Sequence, residues 1–218
     1  MRLLQMNKKE FPAFIAIASA IFLSTYSHFG ALMTEAEADA AWQKQLKIFE
    51  TAHWGPATNG HRAGVLVEPK GALPDGKANP HAGGWHILLQ ETVPTTPQAP
   101  ALRKPAGGDF LHVTVRDAGG KVVPHRTNSI YRGRTLPANR TILNRDEVRN
   151  LPLTSVGSRR LTVLQFLNPA EIFAFPEPGE YQCSLEVTVY RIRPDGFYDV
   201  LRLPVNTFVI AIEKGDLP

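Results

Sequence analysis

The stretch PGEYQCSLEVTV, residues 178–189, decides the fold class. Apolar side chains at Tyr181, Cys183 and Leu185 alternate with polar ones, a period of two that is typical of a β-strand with one buried face. The Pro-Gly pair that precedes this alternation favours a turn. Leu111–Arg116 alternates in the same way, so the sequence predicts two strands that each bury a single face.

Six further segments with strand-like composition accompany these two, and turns rich in Gly and Pro separate them. No helical pattern stands between them, and no repeat of roughly 20 to 50 residues is present, which excludes solenoids and propellers. Such a series predicts an all-β fold, an antiparallel β-sandwich of seven or eight strands. The strand candidates are residues 63–68, 85–93, 110–117, 121–124, 159–167, 180–192 and 206–213, with 197–203 as an eighth.

Three finer expectations concern particular positions. Pro204 lacks an N–H donor and is predicted to end the strand at 197–203. The unbroken apolar run from Phe208 to Ile212 predicts a strand that is covered on both faces. The proline-rich segment 94–105 is predicted to be an extended surface connector.

The start of the strand at Tyr181 resembles the sixth strand of an immunoglobulin-like sandwich. In that family a corner tyrosine stands two residues before a buried core position, here Cys183, and its hydroxyl bonds a backbone group. The resemblance implies an immunoglobulin-like module of a bacterial or adhesion type over about residues 63–213. The inter-sheet disulfide of antibody domains has no counterpart, because the chain has one cysteine. Many unrelated functions share this fold.

Composition limits the chemistry that the chain can carry. With 218 residues, 43% hydrophobic and 20% charged, the chain can form one globular domain plus an appendage. A single cysteine excludes an internal disulfide framework, a cysteine-based zinc site and an iron–sulfur cluster. The sequence contains neither a nucleotide-binding glycine loop nor a nucleophile elbow. It therefore predicts a non-enzymatic protein without a cofactor.

The amino terminus predicts export. Lys8 and Lys9 precede 11–33, a run without Asp, Glu, Lys or Arg. Its most apolar part, 11–23, has the length of a signal peptide, whereas the whole run would reach about 34 Å as a helix and cross a ~30 Å bilayer core. Residues 1–33 are therefore consistent with a cleaved signal peptide and with an uncleaved anchor. Either one places the rest of the chain outside the cytoplasmic membrane, as a periplasmic, secreted or membrane-anchored protein.

Residues 34–62 predict an amphipathic helix and a linker that precede a sandwich domain at 63–218. Trp42, Leu46 and Phe49 recur at helical spacing on one face of this helix. We expect the stripe to pack on the following domain. Docking into a groove of a partner uses the same spacing and is the alternative.

A basic insertion interrupts the strand pattern at residues 126–160. It holds eight arginines against two acids, a net charge of +6 that leaves −2 for the rest of the chain. Arginine makes paired contacts with carboxylate, sulfate and phosphate groups. The insertion is either a solvated loop whose arginines pair with acids elsewhere, or a surface for a protein or an anionic glycan or lipid. The candidate binding residues are Arg126, Arg132, Arg134, Arg140, Arg145 and Arg149.

Four histidines are the candidates for a metal site. Their spacing fits no short metal-binding motif, so structural or exposed histidines are the simpler interpretation. A copper or zinc site, in a metal carrier or a metalloenzyme, is the alternative. The four are His53, His61, His81 and His86.

These patterns favour a binding or accessory protein outside the cytoplasmic membrane that holds a protein or an anionic partner through its arginine-rich insertion. The formal net charge of +4 is too small to indicate nucleic acid, and export disfavours it. An accessory subunit of a membrane complex, anchored by residues 11–33, is a second hypothesis. A histidine-based metal protein is the third.

Overall fold

The described part of a computed structural model of the chain contains ten strands, a helical segment at 47–50, two further short helices and a 3-10 helix. The described residues are 47–70, 82–92, 102–105, 109–126, 140–149, 153–156 and 161–217. In chain order the elements are β1 (His53–Trp54), β2 (His61–Val67), β3 (Trp85–Glu91), β4 (Leu102–Pro105), β5 (Leu111–Arg116), β6 (Ile142–Leu143), α1 (Arg145–Arg149), β7 (Leu153–Ser155), β8 (Leu161–Leu167), α2 (Pro169–Ile172), β9 (Gly179–Ile192) and β10 (Tyr198–Ile212), followed by a 3-10 helix at Lys214–Asp216.

The strands form two antiparallel sheets, which confirms the predicted all-β antiparallel fold at this level. One sheet has four strands in the order β1-β2-β3-β8. The other has the order β6-β10-β9-β4-β7, and β5 also pairs with β9. The stretch that opens with Gly179 is therefore the centre of the larger sheet, with β10 along one edge and β4 and β5 along the other.

The main core lies between the two sheets. Cys183 and Val187 of β9 are fully buried there, as the alternation predicts. Trp85 of β3 meets the edge of Phe208 of β10, with ring centroids 5.3 Å apart, so aromatic packing joins the sheets. The Tyr181 hydroxyl donates a hydrogen bond to the backbone carbonyl of Glu177 at 2.6 Å, the kind of contact that the resemblance implies.

The prediction that Pro204 ends a strand is wrong. The predicted segments 197–203 and 206–213 belong to one strand, β10, with a bulge between Val205 and Phe208. The Pro204 carbonyl oxygen faces Gly55 rather than β9, so the nitrogen of Pro204 also points away from the β9 ladder. No ladder hydrogen bond is lost, and proline is tolerated at such a position.

The prediction that β10 is covered on both faces is also wrong. Ile210 is buried, whereas Val209 is 57% exposed and Ala211 is exposed. The residues of β10 after its bulge therefore bury a single face. Their apolar composition hides an ordinary inward and outward alternation.

Two segments have the opposite secondary structure to the one expected. Residues 121–124 contain only an isolated bridge between Val122 and Arg116 instead of a strand. Leu102–Pro105, at the end of the predicted connector, is β4, because it pairs with both β9 and β7. The expectation of no helix between strands is wrong as well, since α1 and α2 lie between β6 and β9.

Residues 47–54 cover part of the outer face of the four-stranded sheet. Residues 47–50 are helical, and Phe49 is buried against Leu66, Leu88 and Leu161. For Phe49 this is the packing expected of the helix stripe. The other members, Trp42 and Leu46, lie outside the described residues, as do residues 1–33. In the ranges that the structure describes, no helix has the length and apolar character needed to span a membrane.

Candidate functional site

The described part of the arginine-rich insertion is folded onto the start of β10. Leu143 of β6 lies opposite Tyr198 of β10. Leu143 and Val148 of α1 pack with Tyr190 and Val200 in a small core of their own. This part of the insertion is therefore an ordered extension of the larger sheet, although the sequence shows no strand signal there.

The other side of this extension is exposed, and we call it the tip surface. Ile142 lies opposite Asp199 of β10, and Asp199 lies opposite Arg191 of β9, so these three side chains share one face. The Arg193 N–H donates to the Phe197 carbonyl at 2.9 Å, which continues the β9–β10 register by one pair and places Phe197 on the same side as Asp199. Ile142 and Phe197 are each 43% exposed. The tip surface thus consists of two large apolar side chains beside charged ones, and it includes the neighbouring Arg193 and Arg145.

Helix α1 is fixed at its start by reciprocal bonds. The Glu147 N–H donates to Asn144 Oδ1 at 2.8 Å, and the Asn144 N–H donates to Glu147 Oε2 at 2.9 Å, which is a capping box. Arg140 forms an ion pair with Glu147. Arg145, the first residue of α1, is exposed, and Arg149 is the last.

Arg145 lies against the turn between β9 and β10. A Cβ atom placed on Gly196 would be 3.4 Å from Arg145 Nη2. Gly196 has a φ of +83°, which disfavours any other residue in this turn. Because Gly196 has no side chain, the guanidinium of Arg145 can lie against this turn.

Arg126, another of the candidate arginines, lies away from the tip surface. Arg126 Nε donates to the backbone carbonyls of Ala170, at 2.8 Å, and Phe173, at 3.1 Å, at the end of α2. This contact gives Arg126 a structural role. Arg132 and Arg134 lie outside the described residues.

The charges of the tip surface are largely paired with each other. Arg191 donates from Nε and Nη2 to Asp199 Oδ2, at 2.9 and 2.6 Å. Arg193 Nη2 lies 2.9 Å from Asp195 Oδ2. Exposed pairs of this kind contribute little to stability, but they reduce the net positive charge that an anionic partner would meet. Sequence reasoning missed Arg191 and Arg193, because they lie outside the insertion.

The described histidines do not converge on one point. His53 lies opposite Val65 of β2, and His61 is four residues from Val65 along the same strand, which is about 13 Å. His86 lies opposite Leu66, so its side chain is on the other face of the sheet. His81 lies outside the described residues. Within the described ranges, no three His, Cys, Asp or Glu side chains form a group that could hold a metal ion.

Each described histidine has a separate local contact. His53 stacks on Phe208 with ring centroids 4.9 Å apart, and burial lowers the pKa of His53. His61 Nδ1 lies 3.0 Å from the Asn59 carbonyl oxygen. His86 is buried, and its Nε2 lies 2.6 Å from Glu68 Oε1. These contacts fit the structural interpretation of the histidines.

A cleft lies at the far end of β10 from the tip surface, and we call it the seam cleft. It has a volume of ≈ 230 Å³ and lies between the segment after β2, the start of α2 and the end of β10. Lys70 forms ion pairs at its rim with Asp216 and, at 3.5 Å, with Glu213. Sequence reasoning missed this site, because Lys70 and Asp216 are 146 residues apart and neither belongs to a recognisable motif.

The Cys183 thiol is predicted to be unreactive in the folded protein. Burial raises its pKa to about 12 and also prevents contact with a reagent. We expect an aromatic disulfide reagent at pH 8 to modify no thiol in the native chain and one thiol per chain in guanidinium, as followed by absorbance and intact mass. Rapid labelling under native conditions would contradict this burial.

No family model matches the sequence, and no curated protein matches it significantly. The fold and the surfaces described above therefore define the class, a two-sheet antiparallel β protein with an exposed tip surface. Its function has to be argued from the chemistry of those surfaces.

Proposed function

We propose that the protein is a non-enzymatic binding or accessory module, exported or membrane-tethered through residues 1–33, that contacts a partner through its arginine-rich insertion. One observation carries this proposal: Ile142 and Phe197 are each 43% exposed on the same face of the tip surface. Large apolar side chains next to arginine are typical of the centre of a protein interface.

A protein partner fits the tip surface better than an anionic glycan or lipid. A polyanion is held by arginines that are free to pair with it. Here Arg140, Arg191 and Arg193 each pair with a carboxylate of the same chain. The two exposed apolar side chains would gain most from being covered, because burial of their area is favourable. Arg145 adds a cation at the rim that suits a carboxylate of the partner.

We propose that the two antiparallel sheets form an immunoglobulin-like sandwich. The Tyr181 hydroxyl bond to Glu177, and the full burial of Cys183 two residues later, support it. In such sandwiches the loops at one end carry binding surfaces, which agrees with the position of the tip surface.

The proposal is tested by measuring the affinity of a partner for variants of the tip surface. The tagged full chain is crosslinked in its native cells, and the captured proteins are purified and titrated by biolayer interferometry. Ile142→Ser and Phe197→Ser are each expected to weaken binding about tenfold, because each removes an apolar contact at the centre of the interface.

Val122→Ser is the matched control. Val122 is 49% exposed, but it bridges Arg116, which pairs with the opposite end of β9 from the tip surface. The affinity of the Val122→Ser variant for the captured partner should equal that of the wild type. Equal affinity of all three variants and the wild type for every captured protein would refute the proposal. A tenfold loss of affinity at higher salt, with no effect of the serine variants, would favour an anionic partner instead.

A further inference from the structure

The seam cleft lies between two strand edges that do not pair with each other. Its lining includes Val67–Lys70 on one side and Val209–Ile212 on the other. Among the described residues, β10 pairs on this edge only with β6, at Tyr198 and Asp199. β1 pairs on the facing edge of β2 only as far as Val65. The cleft is therefore the place where the two sheets approach without closing.

The backbone direction on the β10 side follows from its register. The Thr188 N–H of β9 donates to the Phe110 carbonyl on the β5 side, so by alternation the odd-numbered residues of β9 direct their backbone groups toward β10. Ile210 and Ile212 lie opposite two of these, Tyr181 and Gly179. Since backbone groups alternate in direction along a strand, the N–H and C=O groups of Val209 and Ala211 point away from β9. They point to the edge that lines the seam cleft.

The backbone direction on the β2 side of the cleft follows from two hydrogen bonds. The backbone N–H of Glu68 donates to the Gly84 carbonyl, and the backbone carbonyl of Glu68 accepts from the Gly83 N–H, so both groups face β3. By alternation, the N–H and C=O groups of Val67 face the seam cleft. Within the described ranges, both walls of the cleft thus present strand hydrogen-bonding groups that have no strand partner, an arrangement that suits an added strand.

We infer that the seam cleft binds an extended segment of a partner protein, which adds as a strand along β10 and β2 and carries a basic side chain. An added strand satisfies the backbone groups of Val209, Ala211 and Val67 together. Val209 is 57% exposed beside the cleft and provides an apolar contact for an alternate side chain of the segment.

The charges around the cleft decide the chemistry of the segment. Glu68 and Asp216 line the cleft, Glu213 stands next to it, and Lys70 is the cation paired with the last two. With Lys214, which stands between Glu213 and Asp216, these five described side chains have a net charge of −1, although the whole chain has a net charge of +4. Glu68 also contacts His86. A lysine or arginine of the bound segment would balance this local excess.

This site is separate from the tip surface. Asp199 and Val209 are about 30 Å apart along β10, given the rise of a strand. The two surfaces can therefore bind different partners, and the failure of one proposal leaves the other intact.

Hydrogen exchange of the full chain tests the free edge directly. In the absence of any ligand, the amides of Val209 and Ala211 are expected to exchange about 100-fold faster than that of Ile210, which is paired with β9. Slow exchange at these amides in the free protein would overturn the inference, because the edge would already be covered. That includes a dimer in which a second copy occupies the cleft.

A phage-displayed library of random heptapeptides provides the ligand probe. Selection on the full chain is expected to enrich peptides with alternating β-branched residues and at least one Lys or Arg. Bound peptide should slow exchange at Val67, Val209 and Ala211 about tenfold. A library that yields no such peptide, or peptides whose binding leaves these amides unprotected, overturns the inference.

Ala211→Pro and Ala211→Ser form a matched pair. Proline removes the N–H that faces the cleft and should weaken an enriched peptide about tenfold, whereas serine keeps the N–H and should leave the affinity unchanged. Pro204 shows that this strand accepts proline at a position facing the same edge. Equal binding by both variants overturns the inference. If Ala211→Pro fails to fold, the exchange measurement on the wild type decides.

Discussion

Gly55→Ala is expected to lower the free energy of unfolding by about 3 kcal/mol, a large loss for one methyl group. A Cβ atom at position 55 would lie 1.7 Å from the Pro204 carbonyl oxygen and 3.1 Å from the Val205 Cα. Both atoms belong to the backbone of β10, so no side-chain rotation can relieve the contact. The segment after β1, or β10 itself, would have to move, and the midpoint of thermal unfolding should fall by roughly 6 to 12 °C.

Gly215→Ala is the control for this substitution. A Cβ atom there meets nothing within 4 Å, and the residue has no positive φ. Its stability should stay within about 0.5 kcal/mol of the wild type, as measured by urea unfolding with circular dichroism. A Gly55→Ala protein as stable as Gly215→Ala would show that β10 does not cross so close to the segment after β1.

Local patterns predict the longer strands of this protein, but not β4, β6 or β7, and not the contacts between strands. The alternation around Tyr181 and Leu111 identifies β9 and β5, because each of these strands has one polar face. The alternation after Phe208 is invisible, because Val209 and Ala211 are apolar yet exposed. Pro204 misleads for a similar reason, since its effect depends on which side of the strand carries the partner.

The contacts of the candidate sites are likewise not predicted by local sequence patterns. The arginines of the insertion are visible in the sequence, but their partners are not. Arg191 pairs with Asp199 across the β9–β10 hairpin, and Arg126 binds carbonyls of α2 that lie more than 40 residues later. The seam cleft depends on Lys70 and Asp216, which meet only after both sheets form. A charge pattern along the chain therefore predicts a surface, whereas only the tertiary structure shows which of its charges are already paired.

Phe49→Ala is expected to lower the free energy of unfolding by about 3 kcal/mol, which would place the start of the folded domain before the predicted boundary at residue 63. Phe49 is 5% exposed and packs on Leu88 and Leu161, so the truncation leaves a cavity on the outer face of the four-stranded sheet. Trp54 is held there as well, because its Nε1 donates to the Phe49 carbonyl at 2.9 Å.

The neighbouring substitution Ile48→Ala separates packing from helix propensity. Ile48 belongs to the same helical turn but is 37% exposed, so its replacement should change stability by less than about 1 kcal/mol. The comparison uses urea unfolding of both variants of the full chain. If Phe49→Ala costs no more than Ile48→Ala, residues 47–54 are a linker resting on the domain. If Phe49→Ala costs several times more than Ile48→Ala, residues 47–54 are part of the domain. Removal of the residues up to 54 would then expose Leu66 and Leu88 to water.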